Sequence, residues 1–99
     1  IADIAGVAVA YDALKMYEKD KSNGSANFDG TDFFLSWATI WRTKARDKAI
    51  ANLVKTDPHS PGFFRAIGPL VNLDGFYRTF DLKSTDKHYK KPEDRIIIW

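Results

Sequence analysis

Apolar residues at helical spacing dominate the beginning of the chain and predict a helix over residues 1–22. One face of this helix is made by Ile4, Ala8, Tyr11 and Leu14. Further apolar residues such as Val9 fill the sides that an amphipathic surface helix keeps polar. We therefore expect this helix to be buried inside a larger body, and we expect Gly24 to end it in the left-handed conformation.

Three further apolar stripes predict three more helices, over residues 30–44, 46–56 and 72–81. Asp29 together with Asp32 resembles a capping box at the start of the second helix, and Asn72 is the predicted N-cap of the last. The second helix carries an aromatic-rich stripe formed by Phe33, Trp37, Ile40, Trp41 and Lys44. About four helices are thus predicted.

After the third predicted helix, the segment "KTDPHSPGFFRAIGP", residues 55–69, contains a predicted ordered loop bounded by prolines. Pro58 and Pro61 fix their own φ angles and disfavour helix at the residues before them. Beyond residue 83 the chain is predicted as loop that ends in an extended apolar tail, "RIIIW". No alternation of apolar and polar residues is strong enough for a strand. The predicted fold class is all-α, with residues 1–99 forming one unit without an internal boundary.

Composition excludes several classes of function. The 15 Lys and Arg residues are offset by 13 Asp and Glu residues spread along the chain, so no contiguous basic patch indicates nucleic-acid binding. No cysteine is present, which excludes disulfides and thiolate metal sites within the chain. No apolar run is long enough to cross a bilayer. The sequence begins without methionine, and we expect it to be a piece of a longer protein.

Complete catalytic motifs are also absent. His59 and His88 lie far apart and form no HExxH pair on a helix, so a zinc site within the chain is not expected. No GxSxG sequence indicates a serine hydrolase, and no glycine-rich loop is suited to phosphate.

Four single residues carry candidate chemistry, and each has a structural alternative. Asp3 is either a structural carboxylate at a helix N-terminus or a functional one. His59 is either a recognition residue or a surface residue fixed by its rigid loop. Arg65 needs an acceptor, which is either Asp3 or a ligand carbonyl. Trp41 is either a core residue or the wall of a pocket.

The segments "IADIAG", "DFFLSWATIW", "TDPHSPGFFRAIGPL" and "IIIW" resemble, in order and spacing, the C-terminal end of the neprilysin and endothelin-converting-enzyme family of zinc metallopeptidases, family M13. The resemblance extends over residues 1–99. It implies a larger, mainly α-helical zincin-type catalytic domain, of which this chain is the C-terminal part. It also implies a zinc-dependent endopeptidase that hydrolyses oligopeptides.

The resemblance implies a role for each candidate residue. Asp3 matches the aspartate of the family's ExxxD motif, which accepts a hydrogen bond from a zinc-bound histidine. His59 would donate to the oxyanion of the tetrahedral intermediate. Arg65 would bind a substrate carbonyl on the primed side, while Ile40 and Trp41 would line the S1′ pocket for a large apolar side chain. The zinc ligands are expected upstream of Ile1, so the chain alone is predicted to bind no zinc and to be inactive.

The chain departs from the animal members of the family, which carry cysteines where this chain has none. Arg42, for example, follows Trp41 at a position where those members have cysteine. The chain therefore resembles a bacterial member of the oligopeptidase O type, and a cytoplasmic location is expected. Its expected partners are peptide substrates and the remainder of the catalytic domain. The alternative is a self-standing helical interaction module that self-associates through its apolar first helix.

Overall fold

The computed structural model describes residues 1–25 and 27–98 and is all-α over these ranges, with no strand. Five α-helices occur within the described ranges, together with two short 3₁₀ turns at Leu70–Asn72 and Pro92–Asp94. The helices are α1 (Ala2–Lys21), α2 (Thr31–Ile40), α3 (Asp47–Thr56), α4 (Gly62–Ile67) and α5 (Asp74–Phe80). The predicted fold class is confirmed for these ranges, although a fifth helix joins the predicted four. Trp99, the last residue of the predicted tail, lies outside the described residues.

Helix α1 forms where its sequence predicts. Asp3 lies in the first turn and Lys19 in the last, which places charges favourably for the helix dipole. A left-handed ending is present, but it begins one residue before the predicted Gly24, at Asn23 with a φ of +54°. Gly24 follows with a φ of +81°, and its N–H donates to the carbonyl of Lys19 over 2.8 Å. Val7 and Tyr11 on one face are buried, whereas Val9 on another face is 54% exposed in this chain.

The core lies where α1, α2 and α5 meet. Its buried members are Val7, Tyr11, Phe34, Leu70, Leu73 and Phe76. The ring of Tyr11 stacks on Phe34 with centroids 5.2 Å apart, and a Cβ on Gly75 would clash with the Tyr11 ring. A glycine at position 75 therefore lets α5 approach α1 closely. Phe34, which the predicted aromatic stripe omitted, is the fully buried residue of α2.

Helix α2 ends earlier than residue 44, where it was predicted to end. After Ile40 the backbone N–H groups of Trp41 and Arg42 bond to carbonyls three residues back, which tightens the last turn. The N–H of Thr43 then donates to the carbonyl of Trp41 over 2.8 Å and turns the chain away from the helix axis. The prediction of helix over residues 41–44 was therefore wrong.

The predicted loop over residues 55–69 contains α4. The carbonyl of Pro61 accepts the N–H groups of Phe64 and Arg65, so Pro61 begins this helix. A proline disfavours helix at the residue before it but is well suited to a helix start. The loop prediction was wrong for Gly62–Ile67 and holds for the preceding residues 57–61, none of which is helical.

The predicted capping role of Asn72 was also wrong. Helix α5 begins at Asp74 with Leu73 as its N-cap, and no side chain caps it. Asn72 is buried and instead donates from Nδ2 to the carbonyl of Gly68 over 3.0 Å. Its Oδ1 accepts the N–H of Ile96 over 2.9 Å, which attaches the C-terminal tail.

Helix α3 lies where predicted, but its apolar stripe stays open to solvent. None of its residues is buried, and Leu53 is 48% exposed. The chain has a solvent-accessible surface of 7667 Å², compared with roughly 5,700 Å² for a compact protein of this mass. Its radius of gyration is 15.6 Å, compared with about 13 Å for a compact domain of this length. The chain thus exposes much more surface than a compact domain does.

Candidate functional site

Asp3 and Arg65 form a two-point ion pair between α1 and α4. The Nε of Arg65 donates to Oδ2 of Asp3 over 2.7 Å, and Nη2 donates to Oδ1 over 2.9 Å. Both side chains are 25% exposed. This pairing confirms one of the two acceptors that the sequence allowed for Arg65. The hydrogen bonds from Arg65 are the main cause that lowers the pKa of Asp3, while partial burial acts in the opposite direction.

The guanidinium of Arg65 also stacks on Trp41. Its Cζ lies 4.0 Å from the centroid of the Trp41 ring, within the range of a cation–π contact. Trp41 directly follows the last residue of α2, and its indole nitrogen is buried without a hydrogen-bond partner among the described residues. Asp3 and Trp41 together fix the guanidinium by its edge and by its face.

Trp37 contacts the same arginine through the backbone, and sequence reasoning missed this contact. Its Nε1 donates to the carbonyl oxygen of Arg65 over 3.1 Å. Trp37 and Trp41 are four residues apart and therefore share one side of α2, and their rings meet edge to face with centroids 5.7 Å apart. A buried indole N–H usually finds an acceptor. Two tryptophans four residues apart therefore indicated that a hydrogen-bond acceptor lies against this side of α2.

His59 is held by Asp57, a second residue that sequence reasoning missed. One carboxylate oxygen, Oδ1 of Asp57, lies 2.8 Å from the backbone nitrogen of His59 and 2.8 Å from its Nδ1. Aspartate commonly accepts the N–H two residues further on, so the Asp-Pro-His spacing was a usable signal. These hydrogen bonds, the backbone one first, lower the pKa of Asp57. Because an ionised carboxylate only accepts, Nδ1 carries a proton and Nε2 stays free of this contact.

An open cleft brings three of the predicted site residues together. It has a volume of about 400 Å³, and its lining includes Trp41, Asp57, His59, Phe63 and Arg65, with Ile50 and Leu53 from α3. Asp3 does not line the cleft and reaches it through Arg65. Ile40 is 66% exposed and does not line the cleft.

Gly62 allows the two sides of this cleft to meet. A Cβ on Gly62 would lie 2.9 Å from the carbonyl oxygen of Trp41 and 3.0 Å from Oγ1 of Thr43. The first turn of α4 therefore packs against the end of α2 at a distance that only glycine accommodates without a shift. This packing sets Arg65 and His59 beside Trp41.

The described part of the chain does not by itself fit a catalytic zinc ion. Such an ion commonly takes three protein ligands, and no group of three or more His, Asp or Glu side chains that could hold a metal occurs in residues 1–25 and 27–98. None of the described helices is long and apolar enough to cross a membrane.

The chemical capacity of the cleft is recognition rather than complete catalysis. Arg65 keeps N–H donors beyond those bonded to Asp3, and these need only an acceptor such as a peptide carbonyl or an oxyanion. His59 adds the ring nitrogen Nε2, which Asp57 does not use. The apolar lining, with Trp41, Phe63 and Leu53, suits a large apolar side chain.

Comparison with known proteins gives a consistent picture. The model of peptidase family M13 matches residues 1–96. The chain is 44% identical over 99 residues to the neutral endopeptidase of Lactococcus lactis subsp. lactis and 39% identical over 99 residues to that of Lactobacillus helveticus. It is 36% identical over 105 aligned residues to human neprilysin. Each comparison covers the whole chain, which spans only 14% of each relative's length. No solved structure matches the chain at a significant level.

Proposed function

The chain belongs to peptidase family M13, and from this premise we propose that it is part of a zinc-dependent metalloendopeptidase that hydrolyses peptide bonds in oligopeptides. The observation that carries the proposal is the shared cleft of His59, Arg65 and Trp41 in a chain that matches the family along residues 1–96. Two polar groups that bind carbonyl oxygen and one apolar wall are what recognition of a peptide needs.

His59 stabilises the oxyanion of the tetrahedral intermediate in this proposal. Because Nδ1 donates to Asp57, the ring donates from Nε2 only when both nitrogens are protonated. The carboxylate of Asp57 accepts from Nδ1 and thereby orients the ring. Pro58 and Pro61 restrict the backbone on both sides of His59, so the donor is oriented before the substrate arrives.

Arg65 binds a substrate carbonyl on the primed side of the scissile bond. The guanidinium has five N–H donors, and Asp3 receives hydrogen bonds from two of its nitrogens. The donors that remain can reach a substrate without breaking the ion pair. Trp41 forms the wall for the first primed side chain. Ile40 lies outside the cleft of this chain and would join that wall together with residues of the longer protein.

Asp3 has a second task in this proposal. A carboxylate has about four acceptor sites, and Arg65 uses one on each oxygen. The remaining sites accept a hydrogen bond from a histidine outside this chain that ligates zinc. In this proposal the zinc ligands belong to the remainder of the longer protein. The chain alone is then inactive.

The remainder of the catalytic domain covers the apolar surface that this chain exposes. Val9, Met16 and Tyr17 of α1 and Leu35 of α2 are each more than half exposed. The large exposed surface favours part of a larger domain over a self-standing module. The bacterial oligopeptidase type and the cytoplasmic location stay predictions, and they rest on the sequence alone.

The proposed function is tested by His59→Ala in the full-length enzyme. Loss of an oxyanion donor lowers kcat by roughly 10² to 10³, and the zinc content should stay unchanged because His59 is not a ligand. His88→Ala is the matched control, since His88 is exposed and lies outside the cleft. An unchanged kcat in the His59 variant, or loss of zinc from it, would contradict the proposed role.

A further inference from the structure

The carbonyl end of α4, the short helix that carries Arg65, is tied to α2 by a side chain. The last carbonyl groups of an α-helix have no partner inside the helix, and the carbonyl of Arg65 receives Nε1 of Trp37 over 3.1 Å. We propose that Trp37 is a positioning residue for Arg65 and that it determines where the guanidinium meets the substrate. This inference rests on the proposed function, because it assigns Trp37 to the substrate-binding task of Arg65.

Helix α4 needs such a contact because it is short. It contains six residues, and a helix of this length does not hold its conformation or its direction without tertiary contacts. Among the helices, α4 packs mainly on α2. The side chains of α2 that meet α4 therefore decide where Arg65 lies.

Three side chains then hold Arg65, and each acts on a different part of it. Asp3 binds the edge of the guanidinium, Trp41 binds its face, and Trp37 binds the main chain. The first two contacts hold the guanidinium to the first turn of α1 and to the residue that follows α2. The contact with Trp37 fixes the position of α4. Without this contact, Arg65 shifts relative to the substrate carbonyl that it binds. A shift of about 1 Å in a binding group is enough to weaken a positioned contact.

A phenylalanine at position 37 separates the hydrogen bond from the packing. Phenylalanine keeps an aromatic ring against Trp41, whose centroid lies 5.7 Å from that of Trp37, but it has no N–H. Trp37→Phe therefore leaves the Arg65 carbonyl without its donor and changes the core little.

The experiment uses the full-length enzyme and two synthetic peptides. One peptide has two residues after the scissile bond, and the other has a chromogenic amine in their place and therefore lacks the primed-side carbonyl. Loss of one hydrogen bond in Trp37→Phe should raise KM for the longer peptide about fivefold and leave kcat within about twofold. The KM for the chromogenic peptide should not change. In an Arg65→Met background, Trp37→Phe should have no further effect on KM.

Tyr77→Phe is the matched control. Tyr77 donates to the carbonyl of Val71 over 2.7 Å and accepts the N–H of Lys90 over 3.0 Å, so this variant removes two partly buried hydrogen bonds, but it touches neither Arg65 nor the cleft. We expect a decrease in Tm at least as large for Tyr77→Phe as for Trp37→Phe, and an increase in KM only for Trp37→Phe.

Three results would overturn the inference: no change in KM, an equal increase for both peptides, or an increase that persists in the Arg65→Met background. A different result would show that the proposed role of Arg65 is wrong. An Arg65→Met variant with unchanged KM for the longer peptide would remove the substrate-binding role of Arg65, and the inference with it, before Trp37 is changed.

Discussion

Asp3 and Arg65 stand 62 positions apart in the sequence and meet through two hydrogen bonds of 2.7 and 2.9 Å. The pair joins the first turn of α1 to α4. Each of these two helices carries a residue of the candidate site. The charges of the pair therefore affect both the stability of the chain and the position of the substrate-binding arginine.

The first prediction concerns the pH dependence of this pair. The pKa of Asp3 is lowered in the folded chain, so the pair stabilises the fold fully above the unfolded Asp pKa of about 3.9. This contribution is lost as the pH falls through the lowered pKa of the folded state. Asp3→Asn should therefore reduce the free energy of unfolding at pH 6 and have little effect at pH 2. Urea unfolding monitored by circular dichroism measures the free energy of unfolding at both pH values.

Asp12→Asn is the control for that measurement, because the carboxylate of Asp12 is 66% exposed and pairs with Lys15 three residues along the same helix. Such exposed pairs contribute little to stability. A loss in Asp3→Asn that is equally large at both pH values would show that the ion pair is not its cause.

The second prediction concerns the carboxylate that holds His59. In the full-length enzyme, Asp57→Asn keeps the size of the side chain and removes the charged acceptor that orients the His59 ring. Loss of one charge-assisted hydrogen bond should lower kcat roughly tenfold or more, with less effect on KM. Steady-state kinetics of this variant beside His59→Ala make the check. If Asp57 acts through His59, the double variant should be no slower than His59→Ala alone, and additive losses would contradict this.

The third prediction concerns the close approach at Gly62. A Cβ there would meet the Trp41 carbonyl at 2.9 Å, so Gly62→Ala should force α4 away from α2 and destabilise the chain by about 1–3 kcal/mol. Gly6→Ala is the matched control, since a Cβ on Gly6 meets nothing within 4 Å. Within α1 that change should instead stabilise the helix by about 0.5–1 kcal/mol. Urea unfolding of the chain shows whether each variant lowers or raises the free energy of unfolding. An equal change in the two variants would contradict the close packing at Gly62.

The fourth prediction concerns the apolar surface of α1 and α2. The 99-residue chain on its own should bind a hydrophobic dye and self-associate, because Val9, Met16 and Leu35 are exposed on it. The full-length enzyme should do neither at the same concentration. Dye fluorescence and sedimentation velocity make the comparison. An isolated chain that stays monomeric and binds no dye would favour the self-standing module.

The helices whose apolar residues recur at a regular spacing were predicted from the sequence. The apolar spacing around Tyr11 predicted α1, and the stripe predicted over residues 72–81 corresponds to α5, on which Phe76 and Tyr77 are buried. The need of a partly buried Arg65 for an acceptor left two alternatives, Asp3 and a ligand carbonyl, and the structure shows the pairing with Asp3.

The features that the sequence did not predict depend on tertiary contacts. Helix α4 was missed because two nearby prolines indicated a loop, although Pro61 begins the helix. The predicted stripe of α2 included Ile40 and omitted Phe34, whereas in the structure Ile40 is exposed and Phe34 is buried. The direction that a short helix faces is set by what packs against it. The acceptors of Trp37 and Asn72 are carbonyls of α4 and of Gly68, and no periodicity in the sequence indicates them.

The two tryptophans beside Arg65 give the chain an optical property. Of its three tryptophans, Trp37 bonds the Arg65 carbonyl and Trp41 lies under its guanidinium. Indole emission depends on polarity and on nearby charge, so a peptide that enters the cleft would change the spectrum at Trp41. The intrinsic fluorescence of the chain is therefore a label-free probe of its own candidate binding site, with Trp41→Phe as the variant in which the signal should disappear.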